Sequence, residues 1–344
     1  MDGDKNPTSA SLASKQTLSA KLDCHPFFNA ALDLAPNPEV GSFYIASYVE
    51  SQGCKFTIVF HLMLIVGSIG RPLAQLAISV FNETTPKDYL SREMNQFWLN
   101  GTTVNIPGLD IKTPEGHLSG DIDKLVVEGR IPDKNGLQQF DMRLEMLPRG
   151  PVLPNLITGV IPFSNGVNYE FALPRMQTSG KMTVGGTEYN DITGWSWLDR
   201  EWGSLGPSKW TWMNIQLDND VQMSIWDEQN DNKNPDSYVG GPRRFATILM
   251  PTGELAVAPV AITEGDPWTS QDSQRTYPNQ WQVTIPGWAD LKVRSLRKGQ
   301  EIVSQINAHR VEAKAEVDGI YDGKPVKGVT MVELFDLFPL FSTL

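Results

Sequence analysis

Three features of this sequence predict an all-β, antiparallel fold of sandwiches or barrels. Apolar residues recur at every second position in many short runs. Gly (29) and Pro (24) are scattered between those runs rather than clustered, so turn signals break the chain at roughly ten-residue spacing. Helical periodicity is rare, and no repeat of fixed period is present.

In chain order, residues 1–22 are Ser-, Thr-, Lys-, Ala- and Asp-rich with no apolar stretch. They read as a disordered tail and not as a secretory signal, so a cytoplasmic location is expected; a signal removed from this sequence would make the protein secreted. The longest apolar run, Phe56 to Ile69, contains His61 and Gly67. It is too short to span a bilayer and reads as one or two buried strands. Arg71–Val80 and Pro86–Phe97 are the two segments with helical spacing and are expected to be short helices. Strands are expected at Phe140–Leu147, Asn168–Leu173, Lys181–Val184, Arg244–Met250, Glu254–Ile262, Trp281–Ile285 and Asp290–Ser295. Between Trp210–Leu217 and Val221–Asp227, the turn Asp218-Asn219-Asp220 signals a hairpin. The loop Gly203–Ser208 is the expected boundary between an N-terminal unit, 23–203, and a C-terminal one, 204–344.

Composition excludes several functions. A formal net charge of −11 and no basic cluster argue against a nucleic-acid partner. Cys24 and Cys54 cannot form a disulfide scaffold; they allow one bridge between them, and the favoured reading is two buried or idle thiols in a reducing compartment. The sequons at Asn82 and Asn100 read as accidental without a signal. No phosphate-cradling Gly-rich loop is present, so no nucleotide cofactor is signalled. His25, His61, His117 and His309 are too dispersed to signal a His-rich metal site.

The chemistry concentrates in Gly194-Trp195-Ser196-Trp197-Leu198-Asp199-Arg200-Glu201-Trp202-Gly203. As a strand, it places Trp195, Trp197, Asp199 and Glu201 on one face and Ser196, Leu198, Arg200 and Trp202 on the other. Of ten tryptophans, six (Trp195, Trp197, Trp202, Trp210, Trp212, Trp226) lie in this stretch and the hairpin after it. Every buried indole N–H needs an acceptor, which a wide aromatic pocket supplies more easily than a dry core. These indoles are expected to bind a small apolar substrate, with Arg200 holding one of its oxygens. Asp227 ends the apolar face of Val221, Met223 and Ile225. Lost hydration there favours its neutral form, and a neutral carboxylic acid can donate a proton. The rival readings are a packed indole core with Asp199-Arg200-Glu201 as a surface ion cluster, and an Asp227 that simply opens the following polar loop.

Several segments in order resemble the lipocalin-like family of hydroxyneurosporene synthase, the group that includes kievitone hydratase and fungal Diels–Alderases. They are Ser42-Phe-Tyr44-Ile-Ala-Ser-Tyr48, Asn168 to Gly180 with its Pro174-Arg175 pair, Gly194 to Gly203, Tyr277-Pro278 with Trp281, and Gly328 to Glu333. Gly194–Gly203 is similar to the family's Gly–x–x–Trp–x–Asp–His–Glu–x–Gly signature, with Arg200 where hydratases often carry His. An Arg cannot shuttle protons near neutral pH. The resemblance implies two consecutive lipocalin-like β-barrels with a few short helices, a ligand cavity at or between them, and no organic cofactor. It also implies an acid about thirty residues past the signature, the place of Asp227.

Three functions are therefore expected in turn. The first is a cofactor-independent enzyme that hydrates, dehydrates or cyclises a prenylated or polyene substrate. There Asp227 is the acid, with Asp199 and Glu201 beside Arg200 in the site, and Trp195, Trp197, Trp202, Trp210, Trp212, Trp226 and Tyr44 form its walls. The second is a Diels–Alderase needing no proton donor, and the third a non-catalytic carrier.

Overall fold

The computed structural model describes residues 34–35, 40–66, 71–85, 88–132, 138–163, 166–203, 208–229 and 243–336. The expected disordered tail, Cys24 and the core of the expected boundary loop lie outside them.

The described residues form strands and no helix. The first sheet contains β1 (Val40–Ser51), β2 (Cys54–Ile65), β3 (Leu73–Asn82), β4 (Tyr89–Phe97), β5 (Thr103–Asn105), β6 (Leu109–Lys112), β7 (Gly116–Gly120), β8 (Leu125–Pro132), β9 (Gln138–Pro148), β10 (Leu153–Pro154), β11 (Val160–Phe163), β12 (Gly166–Val184) and β13 (Thr187–Gly203). Its order is β4-β3-β2-β1-β13-β12-β9-β8-β7-β6-β5, with β10 and β11 pairing β12. The second contains β14 (Lys209–Leu217), β15 (Gln222–Gln229), β16 (Arg243–Leu249), β17 (Leu255–Pro259), β18 (Ala261–Gly265), β21 (Gln280–Ile285), β22 (Ala289–Ser295), β23 (Glu301–Ile302), β24 (Arg310–Tyr321) and β25 (Lys324–Asp336). Its order is β17-β16-β15-β14-β25-β24-β22-β21-β18, with β23 on β24. The short pair β19 (Trp268–Thr269) and β20 (Thr276–Tyr277) stands apart. Every pairing is antiparallel, as expected for meanders joined by short turns. In the second sheet the end strands β17 and β18 are joined through Val260 alone, which brings its two edges together.

The predicted architecture of two consecutive barrel-like sheets stands; the predicted helices do not. Arg71–Val80 falls largely on β3 and Pro86–Phe97 on β4. Leu73 to Phe81 are all buried. β3 is covered on both faces, so apolar residues occupy both and the period-two signature vanishes. Ala74, Leu76, Ile78 and Val80 face the first barrel's core, while Leu73 faces the layer between the sheets. Phe56–Ile65 of the apolar run lies on β2 in the same doubly covered position, and residues 67–69 lie outside the described residues.

Each sheet wraps its own apolar core. Phe43, Ile45, Phe60, Ile78, Val127, Phe140 and Leu198 fill the first. Met213, Ile215, Ile225, Val283, Leu291, Val311 and Val332 fill the second. A third cluster, with Tyr44, Trp197, Trp210, Trp212, Trp226 and Phe335, lies where the outer faces of β1, β2 and β13 meet those of β14, β15 and β25.

Candidate active site

Strand alternation builds the site. On β13, Leu198 points into the first barrel, so Trp197 and Asp199 point out of it. Antiparallel register sets them beside Ala46 and Tyr44 of β1, and sets Glu201 beside Ser42. On β14, Met213 and Ile215 fill the second barrel, so Trp210 and Trp212 point back toward the first sheet. Two glycines frame the motif for steric reasons. A Cβ at Gly194 would lie 2.1 Å from the Tyr48 carbonyl, and Gly203 has a φ of 142° with the Val167 carbonyl 2.4 Å from where its Cβ would be.

The cavity between these faces has about 640 Å³ between its walls, mouth included, of which only about 50 Å³ can hold the centre of a water molecule. It is therefore a narrow slot. Its walls include Tyr44, His61, Met63, Trp202, Trp210, Trp212, Trp226 and Phe335, and its polar groups are Ser42, Asn168, Glu170, Asp199, Glu201 and Glu333. The rings brace one another edge to face: Tyr44 with Trp212 at 5.1 Å, Trp197 with Trp212 at 6.4 Å, and Trp210 with Phe335 at 4.9 Å.

The indole N–H groups end on the acids. Trp197 Nε1 donates to Asp199 Oδ2 at 2.9 Å, and Trp210 Nε1 donates to Glu333 Oε2 at 3.0 Å. Trp212 Nε1 donates to Ser224 Oγ at 3.1 Å, and Asn168 Nδ2 donates to Glu201 Oε1. The second oxygens, Asp199 Oδ1 and Glu333 Oε1, are buried without a hydrogen-bond partner, as are Glu170 Oε2 and the Tyr44 hydroxyl. On the first sheet's wall, His61 Nε2 and Ser42 Oγ are 2.9 Å apart. His61 Nδ1 lies 3.5 Å from Glu312 Oε1 and 3.8 Å from Glu333 Oε1.

Burial dominates the electrostatics, because a charged form loses its hydration here. It pushes Asp199 and Glu170 well above the usual carboxylate range, and neighbouring Glu201 raises both further. It pushes Glu201, Glu312 and Glu333 up to about 7. Burial also lowers His61 to about 4, against the pull of Glu333. Near neutral pH Asp199 and Glu170 thus stay protonated, Glu201, Glu312 and Glu333 lie close to the midpoint of their titration, and the imidazole is neutral.

His61, Glu312 and Glu333 bring one ligand atom each within 4.8 Å of one another, a spacing open to a small cation. The positive charge beside them comes from Arg310, whose Nε is 3.3 Å from Glu312 Oε1 and whose Nη1 is 3.1 Å from Glu93 Oε2.

The slot brings together Tyr44, Asp199, Glu201, Trp202, Trp210, Trp212 and Trp226 of the expected residues. Trp197 buttresses it through Trp212 and Asp199. Three others lie elsewhere. Arg200 is turned toward the first barrel, its guanidinium 4.4 Å from the Phe43 ring centre and 4.8 Å from that of Trp202. It donates to the carbonyls of Glu201 and Ala35, so its fork is engaged by the protein itself and does not line the slot. Asp227 follows Trp226 on the same strand, and successive side chains point to opposite faces. Trp226 takes the slot, which leaves Asp227 on the barrel side, bonded to Arg244 Nε at 2.7 Å. Burial raises its pKa and Arg244 opposes that rise. Trp195 is 40% exposed and borders a different cavity.

His61, Glu170, Glu312 and Glu333 were missed as site residues. His61 was read only as an interruption of an apolar run. Glu312 sits in Arg310-Val-Glu-Ala-Lys-Ala-Glu316, whose alternation of charged with small apolar residues looks like a strand half in water. Glu170 lies in Asn168–Leu173, where the alternation signals only a strand.

The AttH-like family profile matches residues 109–335. The chain is 25% identical over 308 residues to kievitone hydratase of Fusarium solani subsp. phaseoli, covering 86% of this chain and 82% of that protein. It is 26% identical over 187 residues to the dehydratase AsqC of Emericella nidulans, covering 51% of this chain and 52% of the other. The crystal structure of kievitone hydratase from Nectria haematococca superposes with a TM-score of 0.76 at 23% identity, covering 88% of this chain and 91% of that one.

Proposed function

The chain belongs to the AttH-like family, and on that footing we propose that it is a hydratase- or dehydratase-type enzyme of secondary metabolism. Its substrate is apolar and prenylated or polyene in character, and buried carboxylic acids of the slot between the sheets move the proton. The observation that carries this reading is Asp199: buried, held above its ordinary pKa, one oxygen on Trp197 and the other unpartnered.

For hydration, the Asp199 O–H gives its proton to one alkene carbon. The developing cation lies against indole faces, which stabilise positive charge. Water then attacks the other carbon and loses a proton to Glu333 or His61, which face each other across 3.8 Å. Dehydration is the reverse. Protonated Glu333 or His61 gives its proton to the departing hydroxyl, water leaves, and the Asp199 carboxylate removes the neighbouring carbon proton. The narrow slot favours a flat substrate and limits stray water, which would otherwise capture the cation at random.

The test is turnover of a prenylated phenol in deuterated water. The wild type is expected to place solvent deuterium on carbon, and Asp199→Asn, nearly isosteric, is expected to lose about 10²–10⁴-fold in kcat while folding normally. Retained turnover in Asp199→Asn, with no deuterium on carbon, would replace acid catalysis by a pericyclic reaction.

A further inference from the structure

A second cavity opens at the other end of the same interlayer, beyond the Trp197–Trp212 contact. About 500 Å³ of it can hold the centre of a water molecule, against about 50 Å³ in the slot. Tyr48, Trp195, Thr178, Lys55, Glu83 and Lys314 are among its walls. Tyr48 and Trp195 are register partners on β1 and β13, so their rings stand side by side on one face.

Lys314 is unusual here. It is 3% exposed, whereas lysine is almost never so buried unless closely paired. Its Nζ lies 3.9 Å from the centre of the Tyr48 ring and 3.8 Å from Glu83 Oε1, too far for a normal hydrogen bond. That same Glu83 oxygen accepts from Thr57 Oγ1 at 2.5 Å. The Tyr48 hydroxyl donates to Asn214 Oδ1 at 3.1 Å, which fixes the ring under the amine. Glu50 and Lys55 also border the cavity, and Glu316 follows Lys314 by two residues on β24. Burial lowers the amine to about 8, and Glu83 resists the change.

We propose that this cavity is a second ligand site in which the Lys314 amine captures an aromatic aldehyde or ketone as an imine. The neutral amine attacks the carbonyl carbon, forming a C–N bond as the C=O π pair moves to oxygen. Glu83 passes one nitrogen proton to that oxygen to give the carbinolamine and then the second to its hydroxyl, which leaves as water while the nitrogen lone pair forms the C=N bond. Amine and carbonyl become imine and water with no oxidant or reductant, and hydrolysis reverses the step. Trp195 and Tyr48 hold the ring of the ligand.

The test uses the full chain with 4-hydroxybenzaldehyde and cyanoborohydride, followed by peptide mass spectrometry. Labelling at Lys314 is expected to run roughly tenfold or more faster than at the exposed Lys292 and Lys324. Trp195→Ala should slow the aromatic probe at Lys314 and leave acetaldehyde labelling unchanged. Labelling at Lys314 no faster than at Lys324 would overturn the proposal and leave the amine as a countercharge to Glu83. Equal slowing of both aldehydes in Trp195→Ala would overturn the aromatic site. Neither readout depends on turnover in the slot.

Discussion

The interior of the second barrel and the layer between the barrels share the strands of the second sheet, whose side chains are buried on both faces of β24, yet their chemistry is opposite. Along β24, Val311, Ala313 and Ala315 face the barrel at 2%, 2% and 0% exposure. Arg310, Glu312 and Lys314 face the interlayer at 0%, 1% and 3%. Apolar groups stabilise by burial, at roughly 25 cal/mol per Å². Charged groups lose by it unless they are paired or change protonation state. One region is thus built for stability, and the other sets desolvation against that stability, which is how acids stay protonated near neutral pH. The barrels are the scaffold, and the seam between them holds the chemistry.

Removing the cation of the seam should give the largest effect on stability. Arg310→Met leaves Glu93 and Glu312 facing each other without it, and a loss of about 3–5 kcal/mol is expected in chemical denaturation. A loss below about 1 kcal/mol would show that Arg310 does not hold the seam together. In the barrel, Ile225→Ala removes packing alone. It should cost about 2–4 kcal/mol and leave kcat of the folded enzyme unchanged. A large drop in kcat there would break the separation of scaffold from chemistry.

The pH dependence comes next. Glu201, Glu312 and Glu333 titrate near 7 when folded but in the ordinary carboxylate range when unfolded. Groups raised in this way stabilise the fold fully below their unfolded pKa, and that contribution is lost as the pH rises through about 7. His61, lowered to about 4, has the opposite sign: its contribution is present above its unfolded pKa near 6.5 and is lost as the pH falls through about 4. Between pH 6.5 and about 8 the three carboxyls outweigh Lys314, whose amine, lowered to about 8, acts in the opposite sense, so the melting temperature should fall by on the order of 5 °C. Turnover should fall over the same range, and Glu333→Gln should flatten part of the stability profile. A melting temperature that rises there would show the acids to be ionised in the folded state.

The smallest effect is expected at Asp227. Its partner Arg244 has a side chain 44% exposed, so Asp227→Asn should cost about 1 kcal/mol or less and leave turnover within about twofold. A loss of several hundredfold would move the acid from the seam to the barrel mouth.

Much of this was legible in the sequence and some of it was misread for a physical reason. The alternation in Gly194–Gly203 put Trp197 with Asp199, and the hairpin put Trp210 with Trp212. Those sets meet in the slot. The same alternation separates Asp227 from Trp226, so the conflict between an Asp227 acid and a Trp226 wall was already written in two adjacent letters. The helix expected at Arg71–Val80 failed because a strand covered on both faces loses its period-two signal, and the Pro86–Phe97 segment forms the half-buried β4 instead of a helix. Glu312 and Lys314 escaped notice because a charged face opposite an apolar one is the pattern of a strand half in water.

By itself, the chain determined which residues share a face, where the turns fall and that the fold is antiparallel β. Those are local matters, set by the pleat of the backbone and by turn chemistry. Only the docking of one sheet on the other decided that the polar faces of β1, β13, β24 and β25 would leave water. Periodicity divides a strand into two sides but carries no record of what will cover each of them, and the acidity of Asp199, Glu312 and Glu333 arises from that covering.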